Sequence, residues 1–72
     1  MEIDFILESI YGIITIEVKN RSTVSKSDFT NMKRLSDVLG YEWCGGIVIY
    51  RGNKIQKLDE NIWAVPSYRM FN

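Results

Sequence analysis

A chain of 72 residues with nine basic and nine acidic side chains carries no net charge, contains no histidine and a single cysteine, and is 46% hydrophobic. That length suits one domain with a thin stability margin, since about 60% of the unfolded surface is buried at this size. The composition excludes histidine-dependent triads, zinc fingers and Cys/His metal sites, an intrachain disulfide framework and a membrane span, because no apolar run reaches the roughly eighteen residues one requires.

Residues Ile3 to Glu8 are rich in strand formers, Ser9 to Gly12 read as a turn, and Ile13 to Lys19 form a second strand, so the two make a hairpin. Alternation along the second strand puts Ile14, Ile16 and Val18 on one face, expected to be buried, and Ile13, Thr15, Glu17 and Lys19 on the other. "VSKSDF" carries a helix start, with Ser25 as N-cap and Asp28 closing a capping box. Phe29, Met32, Leu35, Ser36 and Leu39 then fall at helical spacing with Val38 at the margin, and Gly40 is placed to end the helix. "GGIVIY" reads as a strand of a covered sheet, "RGNK" as a turn, "KIQKL" as a weak strand and "IWAVP" as a last strand, with Tyr68 to Phe71 opening a final helical turn.

The order is ββαβ followed by a short hairpin arm and another strand. The long connection through the helix favours a right-handed crossover that sets "GIVIY" parallel to a strand of the N-terminal hairpin. The fold class is thus α/β (α+β), a mixed sheet with a helix on one face.

Few residues point to chemistry. Glu17 and Lys19, two apart on a strand, project from one face about 6 to 7 Å apart, and Asp4 lies on the partner strand of the hairpin. Two carboxylates and the Val18 carbonyl are the oxygen ligands Mg²⁺ prefers, with Mn²⁺ as substitute. In a phosphodiester hydrolysis Lys19 would orient the attacking water or stabilise charge in the transition state. The competing reading is an ordinary half-buried hairpin edge, because E-x-K is a common tripeptide.

Elsewhere, Lys26, Lys33 and Arg34 share a helix face with Asp28 and Asp37, which suits a solvated mixed-charge surface better than a phosphate contact. Arg21, Ser22 and Thr23 follow the E-x-K strand as a polar rim or a plain loop. Trp43, Trp63, Tyr50 and Tyr11 suit core or interface packing more than base stacking. Gly45 and Gly46 precede a strand and lack phosphate-loop context, and Cys44 has no histidine to activate it. Charge is balanced in each half of the sequence, so no long-range field that gathers nucleic acid is expected, although a local basic patch stays open.

An Asp at the start of one strand, a hairpin, and E-x-K in "IEVK" at the end of the next resembles the core motif of the PD-(D/E)xK restriction-endonuclease-like superfamily. Together "EIDFILE", "IEVKNRSTVSKSDF", "LSDVLG", "GIVIY" and "IWAVP", spanning residues 2 to 66, are similar to the C-terminal domain of unknown function behind the ATPase domain of prokaryotic AAA-type ATP-binding proteins. The resemblance implies a truncated nuclease-like core. In it Asp4 and Glu17 stand for the metal-binding acids, Lys19 for the catalytic lysine, and Glu2 for the opening of the family's E-x-D.

It further implies Mg²⁺-dependent cleavage of DNA in an intact parent protein, or a noncatalytic or DNA-contacting module that packs against the ATPase domain or self-associates. The first helix of that fold precedes the first strand, so residues 1 to 72 are expected to be a single small domain cut from a longer one. Lone Cys44 adds the expectation of a reducing, cytoplasmic setting with no membrane partner.

Overall fold

The computed structural model describes the backbone of residues 5–70 and the side chains of residues 5–69. Strand β1 (Phe5–Ser9) and strand β2 (Gly12–Val18) form an antiparallel hairpin. Gly12 opens β2 at φ 133°, a backbone conformation closed to most side chains, and Cys44 Sγ lies where a Cβ would stand. Helix α1 (Lys26–Leu39) crosses over to strand β3 (Trp43–Tyr50) through a 3-10 turn at Gly40–Glu42. Strand β4 (Gln56–Asp59), strand β5 (Ile62–Pro66) and the short helix α2 (Ser67–Met70) complete the chain.

The five strands lie in the order β1-β2-β3-β5-β4. Strands β2, β3 and β5 are parallel and occupy the centre, while the two edge strands run antiparallel to their neighbours. The α/β class, the crossover and the parallel pairing of "GIVIY" therefore stand as the sequence implied.

Helix α1 starts as its cap predicts. The Ser25 amide donates to Asp28 Oδ2 at 2.8 Å, and at the far end the Gly40 amide, at φ 65°, donates to the Ser36 carbonyl. Met32 is the helix's anchor: it is fully buried with Val48 and Ile62, while Val24, Phe29, Trp43 and Leu58 pack around that cluster. It can sit so close to the sheet because Gly46 faces it, and a Cβ there would come within 2.6 Å of its Cγ and Sδ. Thr15 Oγ1 donates to the Met32 sulfur at 2.7 Å and accepts from Trp43 Nε1 at 3.1 Å, so this buried hydroxyl is satisfied on both counts.

The helix takes the face of β2 that was expected to be open. It covers the side bearing Thr15 and Glu17, which are buried, while on the opposite side Ile16 is buried at 8% but Ile14 and Val18 are 37% and 41% exposed. Strand β2 is central and is covered in part on both sides, so alternation could not say which side the helix would take. Gly46, paired with Thr15, and Ala64, paired with Val48, provide the low surface on which α1 settles. The open side carries Phe5, Leu7, Ile14, Ile16, Val18, Ile47, Ile49, Trp63 and Val65, which share a face by register. No helix of the described residues is long and apolar enough to cross a membrane.

Candidate functional site

The carboxyl ends of the three parallel strands lie together at one end of the sheet, and the loops that follow them are tied to each other. The Lys19 amide donates to the Ile49 carbonyl at 2.7 Å and the Arg51 amide to the Arg21 carbonyl at 2.7 Å. Arg51 Nη1 reaches Asn20 Oδ1 at 3.0 Å, the buried Tyr50 hydroxyl holds the Lys54 carbonyl, and the Tyr68 hydroxyl holds the Asn53 carbonyl. In open sheets with parallel strands this end is where ligands are bound.

Glu17, Lys19 and Arg21 continue the period of two past the end of β2, so their side chains fall on one side and meet the start of α1. Glu17 is 2% exposed. Its Oε1 accepts from Lys19 Nζ at 2.7 Å, and its Oε2 is buried with no hydrogen-bond partner. Asp28, 3% exposed, accepts from Arg21 Nη2 at 2.6 Å and from the Ser25 amide. The four charges form an alternating cluster. The hydrogen bond that Lys19 donates to Glu17 raises the Lys19 pKa above its ordinary value despite partial burial, and Asp28 reinforces it. Burial alone would raise the Asp28 carboxyl, but the Ser25 amide and the Arg21 guanidinium outweigh it and hold the group below the usual carboxylate range.

Glu17 and Lys19 therefore share one side of β2, as their spacing implies, but Glu17 is a buried acid rather than a solvent-facing one. Asp4 and Glu2 lie outside the described residues. Val18 is exposed on the open face by its side chain, and its carbonyl is the remaining sequence-derived ligand. The orphaned Glu17 Oε2 is an acceptor of the kind a divalent cation takes. Asp28, however, is already held by Arg21 and Ser25, and among the described residues no group of three His, Cys, Asp or Glu side chains is arranged to hold a metal. One available carboxylate oxygen does not make a Mg²⁺ shell, so the described residues alone do not fit the ion.

The fold also separates charge that the sequence hides. Exposed Arg21, Lys26, Arg51, Lys54 and Arg69, with half-buried Lys19, stand around the carboxyl ends of the parallel strands, where the described acids Glu17 and Asp28 are buried and paired. At the opposite end lie Glu8, Asp37, Glu42, Asp59 and Glu60, and Lys33 is drawn there by Asp59 at 3.0 Å. A hollow of about 420 Å³ between Glu8, Tyr11, Tyr41 and Glu42 belongs to this acidic end and is remote from Glu17. Lys26 and Lys33, neighbours on one helix face by spacing, thus serve opposite ends of the molecule.

The basic rim escapes sequence reasoning because its members come from two loops, the start of α1 and the short helix α2, which only the parallel topology brings together. Arg21 alone had a signal, the alternation Glu17, Lys19, Arg21. Of the aromatics, Tyr50 and Trp43 pack inside, whereas Tyr11 is exposed and Trp63 stands partly exposed under Lys57, whose Nζ is 5.5 Å from the ring centroid. Cys44 is free and exposed, donating to the Tyr11 carbonyl.

Neither the curated proteins nor the solved structures contain a match to this chain. Residues 1–70 match the family described as Domain of unknown function (DUF4143). With nearly the whole chain covered and a mixed five-stranded sheet and crossover helix of the implied kind, the protein belongs to the DUF4143 family, a domain associated with AAA-type ATPases and PD-(D/E)xK-like in structure.

Proposed function

We propose that the chain is a noncatalytic module that contacts the phosphate backbone of DNA through its basic rim and packs by its open sheet face against an ATPase domain. One observation carries the reading: a chain of zero net charge gathers Lys19, Arg21, Lys26, Arg51, Lys54 and Arg69 around one end of its sheet. Such a rim neutralises phosphates without reading sequence and binds in proportion to the counterions it releases. The open face supports the second contact, since Phe5, Leu7, Ile14 and Trp63 are exposed beside a shallow groove of about 210 Å³ lined in part by Ile14, Ile47 and Trp63. Free, exposed Cys44 accords with a cytoplasmic setting.

Fluorescence anisotropy of a labelled DNA duplex tests the rim. Binding is expected in the range of about 10 to 100 µM near 50 mM salt, with a log–log salt slope of about −4. Arg51→Ala with Lys54→Ala lowers that slope by about 2. Absence of binding near 50 mM salt, or a slope indifferent to the double substitution, defeats the proposal.

A second reading is Mg²⁺-dependent hydrolysis of DNA in an intact parent protein, with Asp4, Glu17 and the Val18 carbonyl as ligands and Lys19 as the catalytic lysine. The unpartnered, buried Glu17 Oε2 beside Lys19 favours it. Mn²⁺ titration followed by paramagnetic broadening of the amides around Glu17, absent in Asp4→Asn, supports this reading. Broadening that is uniform over the surface refutes it.

A further inference from the structure

The two edges of the sheet are unlike. Strand β4 is protected in the usual ways: it is four residues long, carries Lys57 and is broken by a register shift between Lys57 and Asp59. Strand β1, five residues long with Glu8 its one charge, is less protected. It pairs residue for residue with β2 from Phe5 to Ser9 without a bulge, contains no proline or lysine, and is exposed along its whole length.

Both of its faces are apolar at the edge. Phe5 and Leu7, on the open face, are 57% and 55% exposed, and Ile6, on the helix side, is 55% exposed because α1 packs over the central strands and leaves β1 uncovered. The turn beside it adds Ile10 at 93% and Tyr11 at 85%. We infer that a second copy of this chain adds to the sheet at β1, the two β1 strands pairing antiparallel about a two-fold axis through Leu7.

The occupant follows from the strand itself. A two-fold through Leu7 sets Leu7 against Leu7 of the second copy, Phe5 against its Ser9 and Ile6 against its Glu8, which keeps the two Glu8 carboxylates from lying directly opposite one another. Zero net charge opposes no approach of like molecules. Pairing covers Phe5, Ile6 and Leu7, each more than half exposed, which makes a small contact of the weak, reversible class. Backbone pairing at the free edge adds the directionality that apolar area lacks. The product is one continuous sheet of two copies, with the basic rims outside the contact, so the proposal stands independently of DNA binding.

Sedimentation velocity over about 5 to 500 µM checks it, with a monomer–dimer equilibrium expected near the 10 to 100 µM range. Ile6→Lys, a half-exposed position on the helix side of the edge, raises the dissociation constant at least about tenfold while leaving the circular dichroism spectrum unchanged. Trp63→Lys, in the middle of the open face, leaves it within about twofold. Should Ile6→Lys unfold, hydrogen exchange of the wild-type chain decides: the amides of residues 6 to 8 slow as concentration rises. A monomer at every concentration, or a dimer broken by Trp63→Lys but not by Ile6→Lys, or exchange at β1 indifferent to concentration, overturns the inference.

Discussion

Replacing Gly46 by alanine tests whether the seat of α1 is as close as it is drawn. The new Cβ would stand 2.6 Å from both Cγ and Sδ of Met32 and 3.2 Å from its Cε. Met32 is a flexible side chain, but here it is fully buried and its sulfur accepts a hydrogen bond from Thr15, so little room remains for it to turn away. Overpacking of this kind costs about 1 to 3 kcal/mol. Near the middle of that range, about 2 kcal/mol, the melting midpoint of a domain this small falls by about 8 to 16 °C. Urea unfolding followed by circular dichroism measures the loss directly, with the slope unchanged.

The companion variant Met32→Ala costs about 2 to 5 kcal/mol by itself through the cavity it leaves. Adding Gly46→Ala to it should cost under about 0.5 kcal/mol, because the methyl group enters the emptied space, giving a coupling of about 1.5 kcal/mol. Strictly additive losses, or a Gly46→Ala variant within about 0.5 kcal/mol of the wild type, would refute the close seat and with it the account of which face of β2 the helix covers.

Other expected outcomes concern the charges beneath the helix start. Lys19→Met strands the buried Glu17 carboxylate and is expected to cost about 2 kcal/mol, discounted from the fully buried case because Lys19 is partly exposed; Glu17→Gln in the same chain recovers most of it, and a double variant no better than Lys19→Met alone would oppose this. Asp28 has a folded pKa held below its unfolded value, so its stabilisation is complete above about pH 4 and is lost as the pH falls through the folded value. Asp28→Asn should therefore cost about 1 kcal/mol at pH 7 and nothing extra once the pH lies well below the folded value, and an equal loss in both ranges would contradict the linkage. Lys19 has the opposite sign, its raised pKa giving stabilisation that is complete below about pH 10 and lost at higher pH. Tyr50→Phe removes the hydroxyl that holds the Lys54 carbonyl and accepts from Gln56 Nε2; about 1 kcal/mol is expected from thermal melts, together with faster exchange of the amides of residues 51 to 56.

Much of this fold can be read in the sequence because its signals are local. Ser25 with Asp28, Gly40 after Leu39, and Gly12 after the first strand each mark a boundary by backbone chemistry that needs no tertiary partner. The face of β2 is different: Ile14, Ile16 and Val18 outrank Thr15 and Glu17 in hydrophobicity, yet the helix chose the latter because Gly46 and Ala64, over thirty residues away in sequence, made a seat there. Hydrophobic ranking assumes that only one face has company. The candidate site was half legible on the same grounds, Glu17 and Lys19 by alternation and the capping role of Asp28 by spacing. Its pairing of Asp28 with Arg21 and the basic rim depend on which loops the parallel strands bring to one end.

The placement of the tryptophans, Trp43 under the helix with its indole hydrogen bonded to Thr15 and Trp63 on the uncovered side near Lys57, divides the protein's emission between its two faces. A chain with only Trp43 reports through the colour of its fluorescence whether α1 is seated. One with only Trp63 reports whether something has settled on the bare side. The molecule thus carries two optical gauges, and each contact proposed for it can be followed without attaching a dye to the protein.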